Sequence, residues 1–421
     1  MILTSIVFIL LICLYFYLGL RYYIYKKLQP FIIWTVLLPF IPSLTILHTR
    51  FQVTVYYAFI IFPLLFFMLN TLKSLNINKR IFNAVLILTI FITSYIFYGL
   101  ITNPHLTLID ILKDVKPVFF IGIGFIFLII FRNKSIDWNG KFIRKLIKLN
   151  FFFSLFFFIV LDNTKLVNLL TNDPFYKLPG TRYLTMGTFF VIFYFIAKIA
   201  AKKKFRFWEL IYIFTPVFLS GNRTFFIAIV AILITNIILS ITNVWAFFRK
   251  IFLFLLGTVI LFIGVLNFNT MLKERILSMF NIELAIKQLI EYRLAPFLTK
   301  LESFEWYHYI LGKGPGETFF IPWFVWRENV NNYNIFMDNI YLTLYVKYGF
   351  FMFILLFIWI YFIIRTPTNR KFKLLSIVYF LTMGLTTAFM YQINFLFLIV
   401  ILAGLSLKDK NAASPSPLIV S

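Results

Sequence analysis

Charge is scarce in this chain. Only 13% of its 421 residues are Asp, Glu, Lys or Arg, and 62% are hydrophobic. A soluble globular chain is about half apolar and about a quarter charged. A soluble enzyme, a disordered chain and a DNA-binding domain are thereby excluded. Acids are scarcer than bases, 15 against 40, leaving a formal charge of +25. In a soluble protein that excess would point to nucleic acid. Here the basic residues lie between long apolar runs, so membrane topology accounts for them and no nucleic-acid partner is expected. The single cysteine, Cys13, rules out an intramolecular disulfide and a zinc–cysteine cluster. The three histidines, His48, His105 and His308, are isolated and lack metal-ligand spacing. There is no Walker A motif, which argues against ATP-driven transport. There is no Asp-x-Asp pair for a nucleotide-sugar and its metal. Neither a metal nor a cofactor is expected.

What is present is a succession of apolar runs. A helix needs about 20 apolar residues to cross about 30 Å of hydrocarbon. Candidate spans fall near 1–20, 31–47, 51–69, 81–101, 117–131, 146–161, 183–201, 208–220, 224–242, 251–268, 338–364, 374–390 and 392–407. The last two divide one overlong run near Tyr391-Gln392. The sequence therefore predicts an all-α, polytopic membrane bundle of about 12–14 spans. The first run lacks a basic n-region and a small-residue cleavage site, and reads as a retained span.

Basic residues orient the bundle, because positive loops stay in the cytoplasm. Every second connection is basic, including Lys141, Arg144 and Lys145, then Lys202, Lys203, Lys204 and Arg206, then Arg365, Arg370, Lys371 and Lys373. These connections and the C-terminus are expected on the cytoplasmic side of the membrane. The opposite connections take 12 of the 15 acidic residues. The expected domains are an N-terminal bundle 1–268, a large structured external loop 269–337, C-terminal spans 338–407 and a disordered tail 408–421. The loop holds seven of the eight Glu and a helix-like stretch, Glu283–Lys300. A structured loop of that length is more often functional than passive.

With the spans read as nearly free of acid, an Asp/Glu proton relay is not expected. External arginines remain. Arg223, in Ser220-Gly221-Asn222-Arg223, is either an interfacial anchor or a guanidinium able to grip phosphate bidentately. Arg182, in Leu178-Pro179-Gly180-Thr181-Arg182-Tyr183, is an interfacial anchor or a second such group. Arg293 lies on an amphipathic stretch of the loop, where a lone Arg is ordinarily surface. Gly312, Gly314 and Gly316 alternate in Gly-Lys-Gly-Pro-Gly, which makes a tight turn or lets backbone approach a ligand. Asp338-Asn339 opens a span; Asp338 is a helix N-cap or a general base at the membrane face. Lys347, two and a half turns further in, is paired with Asp338 or faces a cavity.

In order along the chain these elements form a pattern. An Arg-bearing loop precedes Ser220-Gly221-Asn222-Arg223, a long loop carries Arg293 and Gly312-Lys313-Gly314-Pro315-Gly316, and Asp338-Asn339-x-Tyr341-Leu342 opens a span containing Gly349. The pattern resembles the bacterial O-antigen polymerase and ligase superfamily of membrane glycosyltransferases, most clearly over about 180–360. The resemblance implies a metal-independent polymerase joining undecaprenyl-diphosphate-linked oligosaccharide units at the periplasmic face. Arg182, Arg223 and Arg293 would bind the donor diphosphate, with Gly312, Gly314, Gly316 and Asn339 near substrate. Asp338 would act as base, with Arg223 and Arg293 supporting catalysis. The ligases carry His-Asn where this chain has Asp338-Asn339, which favours a polymerase. Trp306, Trp323 and Trp326 are either sugar-stacking surfaces or interfacial anchors. Membrane lipids, a flippase and a chain-length regulator are the partners implied. An O-antigen ligase and a flippase are the alternative readings; no internal repeat of the kind flippases carry is visible.

Overall fold

The computed structural model describes residues 79–104, 106–131, 135–162, 186–220, 222–240, 282–321, 333–391 and 393–407, with isolated positions 17, 29, 32 and 33. The spans expected at 1–20, 31–47, 51–69 and 251–268 lie otherwise outside the described residues, as do Arg182, Trp323, Trp326 and the tail.

The described chain is built of helices. They run α1 Lys79–Thr102, α2 Leu108–Phe131, α3 Lys141–Asp162, α4 Met186–Ala200, α5 Phe207–Leu219 and α6 Arg223–Leu239. The loop region follows with α7 Ile282–Leu289, a π turn Ile290–Leu294, α8 Ala295–Glu302 and the short α9 His308–Leu311. A broken span comes next: α10 Ile340–Tyr348, a 3₁₀ turn Gly349–Phe351 and α11 Met352–Arg365. The last described helices are α12 Arg370–Thr386 and α13 Ile393–Gly404, separated by a 3₁₀ turn Phe389–Tyr391. That turn falls where the sequence places the break in its last apolar run.

Three segments are long and apolar enough to cross a membrane: Phe82–Thr102, Asp110–Phe131 and Ile340–Arg365. Four further apolar helices are shorter, Gly187–Ala200, Phe207–Leu219, Thr224–Leu239 and Phe395–Gly404. The protein is thus a helical membrane protein. The all-α expectation needs one small amendment. Ile136–Asp137 (β1) pairs parallel with Leu405–Ser406 (β4), and Phe319–Phe320 (β2) pairs antiparallel with Tyr333–Asn334 (β3). Both are two-residue ladders, and the first takes up backbone groups left without helical partners at the end of α13.

The largest core cluster among the described residues is rich in aromatics and includes α13, with a smaller one of Phe319, Ile321, Met337 and Val346 beneath the loop. Phe395 through Ala403 are all buried, so α13 is apolar on every side, as a central helix must be. It packs on α2, while α1 covers the other side of α2 and α6 packs on α12. Trp359 on α11 meets Phe380 edge-on at 4.4 Å and Phe395 at 5.5 Å, joining three helices.

The connections segregate to two poles. At one, Trp138 N donates to Ser406 O (2.9 Å), Leu407 N to Pro367 O (3.0 Å) and Asn369 Nδ2 to Ala200 O (3.3 Å). These bonds tie together the basic connections around residues 135–141, 200–207 and 365–370. At the other pole stand the loop helices, the start of α6, the start of α10 and the end of α12. Among the described residues, these basic connections are therefore spatially separated from the loop helices.

Helix α2 begins well before the expected 117. Thr107 Oγ1 donates to Asp110 Oδ2 (2.7 Å) and receives the Asp110 amide (3.4 Å), closing its first turn. Pro117 sits inside the helix rather than ahead of it. As a result Asp114, placed by the sequence in an external connection, lies within a span and is fully buried.

Candidate functional site

The first cluster forms at the start of α10. Asn339 has extended backbone (φ −152°, ψ 117°), and its Oδ1 accepts from Leu342 N at 3.1 Å. Asn339 is therefore the N-cap, and Asp338 is not. The cap must sit one residue before the helix with a side chain that reaches back to the third amide, and only Asn339 does. Asn339 Nδ2 donates to Leu385 O (3.1 Å), so the group expected near substrate is bonded to protein on both sides.

Arg293 is not a solvated surface residue. It lies in the π turn between α7 and α8, partly buried, with Nε donating to Asp338 O (3.1 Å) and Nη2 to Thr386 O (3.5 Å). Thr386 Oγ1 in turn donates to Thr224 Oγ1 at 2.7 Å. Thr224 follows Arg223, the first residue of α6, and Asn222 caps that helix by accepting from Thr224 N (3.0 Å). The side chain of Arg223 lies outside the described residues. The structure thus brings together Arg293, Asp338, Asn339 and the helix start that carries Arg223. The N-termini of α6 and α10 each adjoin the end of α12, where Arg293 also bonds, and helix N-termini and a guanidinium are groups that attract an anion.

The second cluster is the seat of the glycine-rich segment. Gly312, Gly314 and Gly316 adopt φ of 73°, 89° and 103°. A Cβ at Gly312 would collide with the backbone of Lys347 and Tyr348. The close approach foreseen for these glycines is therefore to the bundle. Lys313 N and Gly314 N donate to Val346 O (2.8 Å) and Lys347 O (3.1 Å). Gly349 N and the Tyr95 hydroxyl take up the Tyr345 and Tyr348 carbonyls. All four carbonyls freed where α10 ends are thereby satisfied.

Beneath this clasp Lys347 forms an ion pair with Asp114 of α2, both side chains fully buried. The expectation that Lys347 pairs with Asp338 is thereby corrected. Asp114 Oδ2 also accepts from Gly316 N (2.6 Å), and Lys347 Nζ donates to Glu317 O (2.8 Å). The Glu317 carboxylate pairs with Lys300 on α8. Lys347 Nζ stands over the rings of Phe319 (5.7 Å) and Tyr391 (5.9 Å). At the basic pole a second nearly buried pair joins Lys198 to Glu209 (3.0 Å), with the Tyr194 hydroxyl donating to Glu209 Oε1 (3.1 Å). The expectation that the spans hold almost no buried acid is therefore also corrected. Each carboxylate is paired, as burial of a charge demands.

Neither carboxylate was singled out from the sequence, although Asp114 left a trace there. It follows Ile111 by three positions and precedes Val118 and Ile121 by four and seven, all on the buried stripe of α2. Trp306 is 78% exposed on the loop, and Glu305 N donates to His308 Nδ1 at 2.9 Å. Burial first, and then the Lys313 ammonium, hold the His308 imidazole below its ordinary value of 6.5. Among the described residues no group of three or more His, Cys, Asp or Glu is placed to hold a metal.

These features define a helical membrane protein whose polar clusters gather where a loop folds onto the bundle. The chain belongs to a family of unknown function, DUF6369, which matches residues 167–409, more than half of its length. Lys347, Arg293 and Asp338 fall inside the matched region and Asp114 outside it. No curated protein and no solved structure matches the chain.

Proposed function

We propose that the protein is a membrane glycosyltransferase that polymerises oligosaccharide units carried on undecaprenyl diphosphate, making O-antigen or a related surface polysaccharide. The observation that carries this reading is that Arg293, Asp338 and the N-termini of α6 and α10 are gathered around the end of α12. A lipid diphosphate is dianionic or more, and it is already an activated leaving group. Guanidinium groups and helix N-termini would neutralise the charge that grows on it as the glycosidic bond forms. Asp338, relieved of capping by Asn339, would take the proton of the acceptor hydroxyl. In this reading the pole with the loop faces the periplasm of a bacterial inner membrane, and the basic pole faces the cytoplasm. A flippase and a chain-length regulator would act beside it.

A second reading, a carrier of the same lipid-linked units, is favoured by the two buried ion pairs, Asp114–Lys347 and Glu209–Lys198. Ionisable residues inside membrane segments commonly mark transport paths.

The test is a gel of surface glycans from the source strain with the gene deleted, then complemented with wild type, Arg293→Ala or Arg223→Ala. The polymerase reading expects lipid A-core capped by a single unit, and no ladder, in the deletion. It expects neither variant to restore the ladder at normal protein level. Bare core with polymer left on the carrier would identify a ligase. Bare core with short carrier-linked units trapped inside would identify the carrier. An unchanged pattern of lipopolysaccharide, capsule and exopolysaccharide would overturn all three.

A further inference from the structure

The segment from Trp306 to Glu317 sits deeper than a surface loop should. Two rulers give its depth. The Leu311 carbonyl accepts from the Tyr95 hydroxyl at 3.1 Å, and Tyr95 lies seven residues before the end of α1 at Thr102. At 1.5 Å per residue, that is about 10 Å below the helix end. On the opposite flank, the backbone of Ile310 abuts Gly349, so close that a Cβ on that glycine would strike it. Gly349 is nine residues into the span Ile340–Arg365, about 13 Å from its start. That span has 26 residues, more than the about 20 a helix needs to cross about 30 Å of hydrocarbon. Ile310 and Leu311 therefore stand at hydrocarbon depth.

Irregular backbone survives at that depth only if protein satisfies its polar groups. Here it does. Tyr98 Oη donates to Gly312 O (2.8 Å), Asn103 Nδ2 to Pro315 O (3.2 Å) and Lys347 Nζ to Glu317 O (2.8 Å). The amides of Gly312, Lys313, Gly314 and Gly316 donate to His308 O, Val346 O, Lys347 O and Asp114 Oδ2. Proline at 315 has no amide to satisfy. The outer edge of the segment is the reverse. Trp306, Tyr309 and Ile310 project from it, Ile310 with 48% of its surface exposed. Beside them Phe350, Phe353 and Phe357 are exposed on the outward side of the span. The apolar edge of the loop thus continues the lipid-facing stripe of the helix it leans on.

We propose that Trp306–Glu317 is a re-entrant element, with Tyr309 and Ile310 contacting acyl chains and Trp306 seated in the headgroup zone. The partner of this surface is the bilayer itself, and the proposal stands independently of the enzymatic reading. It takes Trp306 away from the glycan.

The chain's single cysteine makes the test direct. In a Cys13→Ser background, nitroxides are placed at Tyr309→Cys, Ile310→Cys and, as an aqueous control, Glu302→Cys, and the full chain is reconstituted in phosphatidylcholine–phosphatidylglycerol vesicles. Collision with oxygen and with a water-soluble nickel chelate is read by power saturation. The expected result is a severalfold excess of oxygen over nickel collisions at 309 and 310, reversed at 302. Nickel accessibility at 309 and 310 equal to that at 302 would overturn the proposal. Should a label disturb folding, the unlabelled chain and Trp306→Phe are compared for quenching by brominated lipids. A quenched component lost in Trp306→Phe supports the element, and equal quenching in both chains refutes it.

Discussion

Lys347 and Asp114 lie 233 positions apart in the chain and form an ion pair with neither side chain exposed. The pair joins α2 to α10 and, through Gly316 N and Glu317 O, fastens the loop to both. Removing one partner of a buried pair strands a charge and costs about 3–5 kcal/mol, whereas removing both is far milder. Asp114→Asn and Lys347→Met should each lower the melting temperature in detergent sharply. The double variant should recover most of the loss. A double variant no better than the worse single would show that the pair is not the source of the effect.

The glycines of the clasp should differ in their tolerance. At Gly312 the obstacle to a side chain is backbone, that of Lys347 and Tyr348, while at Gly316 it is the movable end of Leu106. Both have positive φ, which alone costs a non-glycine residue about 1–3 kcal/mol. Gly312→Ala should therefore destabilise more than Gly316→Ala. Thermal unfolding of the two variants side by side would check the order.

Asn339 and Asp338 should separate by role. Asn339→Ala removes the cap of α10 and should cost about 1 kcal/mol, while Asn339→Asp should retain most of the stability. Asp338→Ala keeps the backbone carbonyl that receives Arg293. If Asp338 is the base, the same variant abolishes polymer synthesis at normal protein level. Full synthesis would remove it from the mechanism.

The turn around His308 should loosen in acid. Its Nδ1 accepts the Glu305 amide, which requires the neutral ring, and burial together with Lys313 depresses its pKa below 6.5. A histidine whose folded pKa is depressed contributes stability that is complete above 6.5 and is lost as pH falls through the folded value. Exchange of the Glu305 amide, corrected for intrinsic rate, should speed up between pH 7 and pH 5 by more than simple chemistry allows. His308→Asn should flatten that dependence, and an unaltered profile in the variant would assign the effect elsewhere.

Much of the architecture was legible in the sequence because apolar run length and the placement of Lys and Arg are local quantities. The break near Tyr391 and the helical stretch from Glu283 to Lys300 are where periodicity placed them. The helix start before Pro117 was not legible, because a Lys-Asp-Val-Lys run reads as solvated until its acid has a partner. Arg293 looked like surface for the same reason. Its value lies in the carbonyls of Asp338 and Thr386, 45 and 93 residues away.

The sequence by itself determined that this is a membrane protein of helices, with its bases and acids sorted between alternate connections. It also set the buried stripes, on which Asp114 joins Ile111 and Val118, and Lys347 joins Ile340 and Leu344. Only the tertiary structure decided that those two charges meet, that Gly312 lets the loop backbone reach Lys347, and that Arg293 bridges α10 and α12. A hydrophobic stripe reports that a residue faces inward, and its spacing follows from the pitch of one helix. Which partner it faces depends on how separate helices pack, and no local pattern encodes that.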